Sequence, residues 1–125
     1  MEHKFVFIAL AGALGTLCRY SLSGFVQQFN SSFFPFGTLV VNITGCFVAG
    51  FLWTLFENRW AVSGEIRTCV LVGFMGAFTT FSAFILETGM LVRSTEWFYA
   101  ALNLVMQNGL GLGALSAGIV VARLI

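Results

Sequence analysis

Few side chains in this sequence are able to do chemistry, and those few sit inside hydrophobic runs. The densest group is Gly73-Phe74-Met75-Gly76-Ala77-Phe78-Thr79-Thr80-Phe81-Ser82-Ala83-Phe84, in the middle of an apolar segment of about residues 68–92. Arg19, Asn42 and Glu87 stand in apolar surroundings of their own. No nucleophile, base and metal-ligand set can be assembled from these residues, which speaks against an enzyme. The single histidine, His3, lies at the terminus, and Cys18, Cys46 and Cys69 are odd in number and spread over separate runs. That usage fits inert, reduced thiols and not a disulfide framework or a metal site. The remaining chemistry is weak coordination: amide and hydroxyl groups, freed carbonyls, and the edges of aromatic rings.

The elements that position these groups follow from composition. The chain has 125 residues, 58% hydrophobic and 9% charged, with a mean hydropathy of +0.93, where soluble domains average about 25% charged residues. Such a chain has no surface to show to water, and it reads as an all-α integral membrane protein. A span needs about 20 mostly apolar residues, and four segments qualify, at about 4–27, 36–57, 66–93 and 96–123. Short connections make neighbouring spans antiparallel and leave residues 1–125 as a single four-helix transmembrane domain. The first segment continues past Arg19 to Phe25 and Val26, so it is expected to be a retained helix and not a cleaved signal. Lys4, Arg59, Arg67 and Arg123 fall on the side of the N-terminus and Arg93 on the other. Their bias favours cytoplasmic termini, yet it rests on so few charges that insertion in both orientations stays open.

Each span carries one face unlike a lipid face. In the first, Gly12, Gly15, Thr16, Arg19 and Ser23 share a stripe; small residues there admit another helix closely. A guanidinium within a span either faces a wet cavity or a partner, or snorkels to the interface. In the second, Thr38, Asn42, Gly45 and Ala49 align, and Asn42 makes either an interhelical hydrogen bond or a donor for a dehydrated anion. The third combines glycines with β-branched threonines, which weakens helical preference. A helix break over residues 73–79 is expected, with freed carbonyls facing protein or an ion; a kinked, merely packed helix is the alternative. Thr80, Phe84 and Glu87 share a stripe there, and an intramembrane carboxylate marks a functional site unless it reaches the interface. The fourth aligns Asn103, Gln107, Gly111, Ala114 and Gly118. A bundle with such faces has a lined path, whose simplest purpose is permeation.

These residues form a pattern. Gly12-Ala13-Leu14-Gly15-Thr16-Leu17-Cys18-Arg19-Tyr20, then Phe36-Gly37-Thr38-Leu39-Val40-Val41-Asn42-Ile43-Thr44-Gly45, then the stretch from Gly73 through Phe84, resemble the Fluc (CrcB-type) fluoride channels of bacteria. The resemblance covers three of the four spans in order, and its third motif is the specific one. It implies an antiparallel, dual-topology homodimer in the bacterial inner membrane, holding two pores that export fluoride passively and protect the cytoplasm. It further implies that Phe81 and Phe84 are the paired pore rings and Asn42 the pore-lining amide. Gly76 and Thr79 correspond to the positions whose carbonyls hold a structural sodium ion at the dimer centre, and Arg19 to a vestibule arginine. Thr80, Ser82 and Glu87 fall near the polar line of the pore. Asn103 and Gln107 depart from the tyrosine and serine often found in the family, which leaves the fourth span's contribution open.

The physics of the rings agrees with that expectation. An aromatic ring is positive at its edge, so it meets a small anion without the grip of a fixed cation, and conduction needs binding that also releases. Two other classes compete. A small dual-topology multidrug or cation exporter shares the size and span number but relies on a buried acid in its first span, where this chain has Arg19. A non-transporting scaffold explains small-residue grooves but not Asn42, Phe81 and Phe84 together. Neither reading involves nucleic acid; the surroundings of all three are the lipid bilayer.

Overall fold

The computed structural model describes residues 2–125. Among them every regular element is helical: α1 (Glu2–Gln27), α2 (Phe36–Asn58), α3 (Gly64–Thr68), a π-helical segment (Cys69–Met75), α4 (Gly76–Phe78), α5 (Phe81–Arg93) and α6 (Trp97–Leu124). Four stretches are long and apolar enough to cross a membrane: α1, α2, the composite Gly64–Arg93, and α6. At 1.5 Å per residue, even α2 reaches about 35 Å, beyond the roughly 30 Å of a bilayer's hydrocarbon core.

Glycines set how closely these spans approach. A Cβ at Gly118 would overlap the Phe47 carbonyl, and one at Gly50 the Leu115 carbonyl. The α2–α6 contact is therefore reciprocal, each helix laying backbone against the other. Bilayers supply no hydrophobic force between helices, and close packing of small residues replaces it. On the opposite flank α1 lies along the third span, where Gly15 leaves room for the Phe74 carbonyl. Val41, Met75 and Phe78 form the buried centre between these layers.

Local signals place the helix ends. Ser63 Oγ accepts from the Ile66 N–H at 3.3 Å and starts α3. Thr80 Oγ1 accepts from the Ala83 N–H at 3.2 Å and starts α5, in each case satisfying a first-turn donor. Pro35 is the residue immediately before α2. Trp60 is exposed beside the charged connection, as expected of an interface anchor, while the Arg67 guanidinium lies 5.4 Å from the Trp53 ring centroid.

The third span is broken, but not where sequence placed the whole interruption. Gly73 through Phe78 stay helical, first as the π-helical segment and then as the single turn α4. Only Thr79 (φ −84, ψ 155) and Thr80 (φ −145, ψ 118) become extended. Two adjacent β-branched residues favour that conformation, whereas Gly73 is spent on contact with Ala11 and the Ile8 carbonyl of α1.

Candidate functional site

The break is held open by one side chain. Asn42 Oδ1 accepts from the Thr80 N–H at 2.8 Å, and Asn42 Nδ2 donates to the Thr80 carbonyl at 2.9 Å. The Thr80 N–H thereby finds its partner on α2 and not in the helix before it, and its carbonyl, at the N-cap of α5, takes an Asn42 proton besides the first bond of that helix. Because its N–H can only donate and its carbonyl only accept, the orientation of the Asn42 amide is fixed. The second Nδ2 proton goes to Gln107 Oε1 at 3.0 Å. Both amide protons are thus engaged, and Asn42 occupies the interhelical role weighed against that of an anion donor.

Two carbonyls lose their helical donors as a result. In an unbroken helix Gly76 O would receive the Thr80 N–H, which Asn42 now takes. Thr79 O would receive the Ala83 N–H, which Thr80 Oγ1 takes. A third, Ala77 O, accepts from Arg19 Nε at 3.0 Å. Arg19 therefore does not snorkel freely; it is half-buried and caps the carbonyl end of α4, where a cation is favoured by the helix dipole. Gly76 and Thr79 border the same cavity. Their carbonyl oxygens are hard ligands of the kind that alkali and alkaline-earth cations accept.

Two cavities meet at Thr80. One, about 470 Å³, is bordered by Arg19, Ser23, Gln27, Thr38, Thr80 and Glu87 among others. The second, about 410 Å³, is bordered by Asn42, Thr79, Thr80, Phe81, Phe84 and Gln107 among others. The Phe81 and Phe84 rings stand 5.8 Å apart at 73°, edge to face. Phe84 is buried at 5% exposure while Phe81 is 74% exposed, so the pair joins the interior of the chain to an open flank. Glu87 is half-buried, its Oε1 accepting from Thr38 Oγ1 at 2.7 Å. Glu87 Oε2 is buried without a hydrogen-bond partner among the described residues. Ser82 is exposed, borders neither cavity, and lies 3.5 Å from Thr80 Oγ1.

The structure therefore gathers Arg19, Thr80 and Glu87 around one cavity, and Asn42, Thr80, Phe81, Phe84, Gly76 and Thr79 around the next. Sequence reasoning left Asn103 and Gln107 without a role, placed Thr38 on the polar stripe of the second span without a partner, and passed over Thr88. Gln107 Nε2 donates to Asn103 Oδ1 at 3.5 Å, Asn103 Nδ2 to Thr88 Oγ1 at 3.0 Å, and Thr88 Oγ1 to the Phe84 carbonyl at 2.7 Å. The visible signal was the spacing of Asn103 and Gln107 by four residues, which stacks two buried amides on one helix face.

Comparison with known proteins agrees with this arrangement. The family model described as CrcB-like protein, Camphor Resistance (CrcB), matches residues 6–119. The chain is 86% identical over 125 residues, the full length of both chains, to a protein of Desulforapulum autotrophicum named fluoride-specific ion channel FluC. A protein of the same name from Nitrosococcus oceani is 51% identical over 125 residues, again all of both chains. Another from Maridesulfovibrio salexigens is 44% identical over 123 residues, 98% of each. The family match and the near-complete coverage, set beside a bundle whose third span breaks between Arg19 and Asn42, leave one conclusion: this chain belongs to the CrcB-like family.

Proposed function

We propose that the protein is a fluoride-specific ion channel that lets fluoride leave the cell passively across the bacterial inner membrane. The observation that carries this reading is the latched break at Thr79–Thr80, which sets the edge-to-face pair Phe81 and Phe84 on one cavity while Thr80 forms a wall shared with a second cavity bordered by Arg19. Arg19 draws anions toward that mouth. Its binding to Ala77 O keeps the guanidinium at the wall and out of the path, so no fixed cation closes around the ion. The ring edges then offer a weak positive surface, and release follows because no contact is strong. Thr80 and Glu87 contribute polar atoms near this line, Ser82 stands outside both cavities beside Thr80 Oγ1, and Asn42 contributes by holding the break.

The exposure of Phe81 supports a second copy as the missing wall. An antiparallel homodimer, inserted in both orientations by a chain whose charge bias rests on only a few residues, forms two pores and shields that flank from lipid. At the dimer centre the released carbonyls of Gly76 and Thr79 suit a structural sodium ion. A bound sodium neutralises those oxygens and adds positive potential beside the path. Within the chain, Asn42 and Thr80 Oγ1 do the preparatory work by diverting the donors that would otherwise occupy both oxygens.

The rival exporter reading needs a buried acid in the first span, and α1 bears only Glu2, exposed at its first turn. The test is fluoride release from proteoliposomes, read with a fluoride electrode. Selective fluoride release supports the channel; equal release of chloride, or release of neither ion, refutes it.

A further inference from the structure

The hydrogen bonds around the break join into a one-way chain. It starts at the Thr80 N–H, passes to Asn42 on α2, then to Gln107 and Asn103 on α6, and ends through Thr88 at the Phe84 carbonyl on α5; the backbone from Thr80 to Phe84 completes the circuit. Thr80 fixes the polarity of every link. Exchange the oxygen and nitrogen at any one amide and a donor faces a donor. Phe84 is thus tied twice to the break, by chain through α5 and by side chains across the bundle.

We propose that Asn103 and Thr88 are positioning residues that lock the Phe84 turn of α5 to the Asn42 latch through this circuit, so that ring and break hold one alignment. The proposal rests on the channel reading for its functional consequence. Asn103 is fully buried at 0% exposure and Thr88 is buried. Neither borders the two cavities described, so neither touches a permeating ion. Their hydroxyl and amide are not packing conveniences, because an apolar side chain of the same shape would fill both places. They persist in an apolar interior because each donor has an acceptor waiting, and a broken link strands the next group.

Thr88 permits a test by sign. Thr88→Val keeps the shape and removes the hydroxyl; Thr88→Ser keeps the hydroxyl and removes a methyl group. A packing role makes serine the worse replacement, whereas the circuit makes valine the worse. Fluoride efflux from proteoliposomes is expected to fall about fivefold or more in Thr88→Val, the effect of one stranded buried donor, with Thr88→Ser close to the unmodified rate. Combining Thr88→Val with Asn103→Leu should cost little beyond either alone, because one circuit breaks once. Thr88→Val at full rate, serine worse than valine, or additive losses overturn the proposal. The Asn42 side-chain amide resonance, followed by solid-state NMR in bilayers, reads the circuit without transport. It should move in Thr88→Val and stay in Thr88→Ser, and an unmoved resonance in Thr88→Val refutes the circuit. Failure of the unmodified protein to pass fluoride counts against the channel and leaves this spectroscopic result standing.

Discussion

Replacing Asn42 with leucine removes three hydrogen bonds at 2.8, 2.9 and 3.0 Å. The Thr80 N–H and Gln107 Oε1 are then left without partners, while the Thr80 carbonyl, at the N-cap of α5, keeps the first bond of that helix. The Thr80 N–H has a refuge one turn back, at Gly76 O, where it restores an ordinary helical bond. In the broken state it has none, and an unpaired buried group costs about 1–3 kcal/mol. The broken state therefore loses about 1–3 kcal/mol against the refolded one. Thr80 is only half-buried, so the lower end applies, and 1.4 kcal/mol per tenfold makes that roughly a fivefold loss of latched protein. The refolded turn also occupies the Gly76 oxygen and redirects Phe81 and Phe84. Fluoride efflux from Asn42→Leu proteoliposomes should fall by at least that factor while the protein still purifies as a single species. Asn42→Asp is a poorer probe, because it adds like charge to the path as well as losing both donors. An Asn42→Leu protein whose efflux stays within a factor of about three of the unmodified rate refutes the latch.

Phe81→Ile and Phe84→Ile should each reduce fluoride efflux to the background leak with the assembly intact by size-exclusion chromatography; full flux in both removes the ring-edge mechanism. Exchanging sodium for a bulky organic cation on both sides of the bilayer should abolish efflux, and returning sodium should restore it. Unchanged flux in sodium-free medium would argue against a cation at Gly76 and Thr79. Gly118→Ala drives a methyl group into the Phe47 carbonyl. It should destabilise the fold by about 1–3 kcal/mol, read as a lower midpoint in thermal unfolding in detergent. An unshifted midpoint would show that α2 and α6 are free to separate.

Much of this was legible from hydropathy. The expected spans at 36–57 and 96–123 meet Phe36–Asn58 and Trp97–Leu124, and the third meets Gly64–Arg93, because length and apolarity set what can cross a bilayer. The break was legible from Thr79 and Thr80, but its extent was overdrawn. Glycine looks the same in sequence whether it bends a helix or admits a neighbour, and only the position of α1 shows Gly73 doing the second. The π-helical turns of Cys69–Met75 left no trace, since seven mostly apolar residues satisfy an i→i+5 pattern as readily as i→i+4. Arg19 was seen as anomalous without its partner, because Ala77 lies 58 residues away. Gln107 was visible as polar, but its direction is inherited from Thr80 through Asn42, and no local signal carries that.

The widened turns at Cys69–Met75 also act as a gear between the two ends of the third span. Each residue there advances less around the axis than it would in an α-helix, so everything downstream is rotated relative to α3. That phase offset is what brings Ala77 O to Arg19 on one side and Thr80 to Asn42 on the other. Apart from Gly73 and the buried Met75, which are fixed by what they touch, the stretch can exchange one apolar side chain for another with little effect, while the loss of a single residue would swing Thr80 off Asn42. Its length is a constraint separate from its side chains.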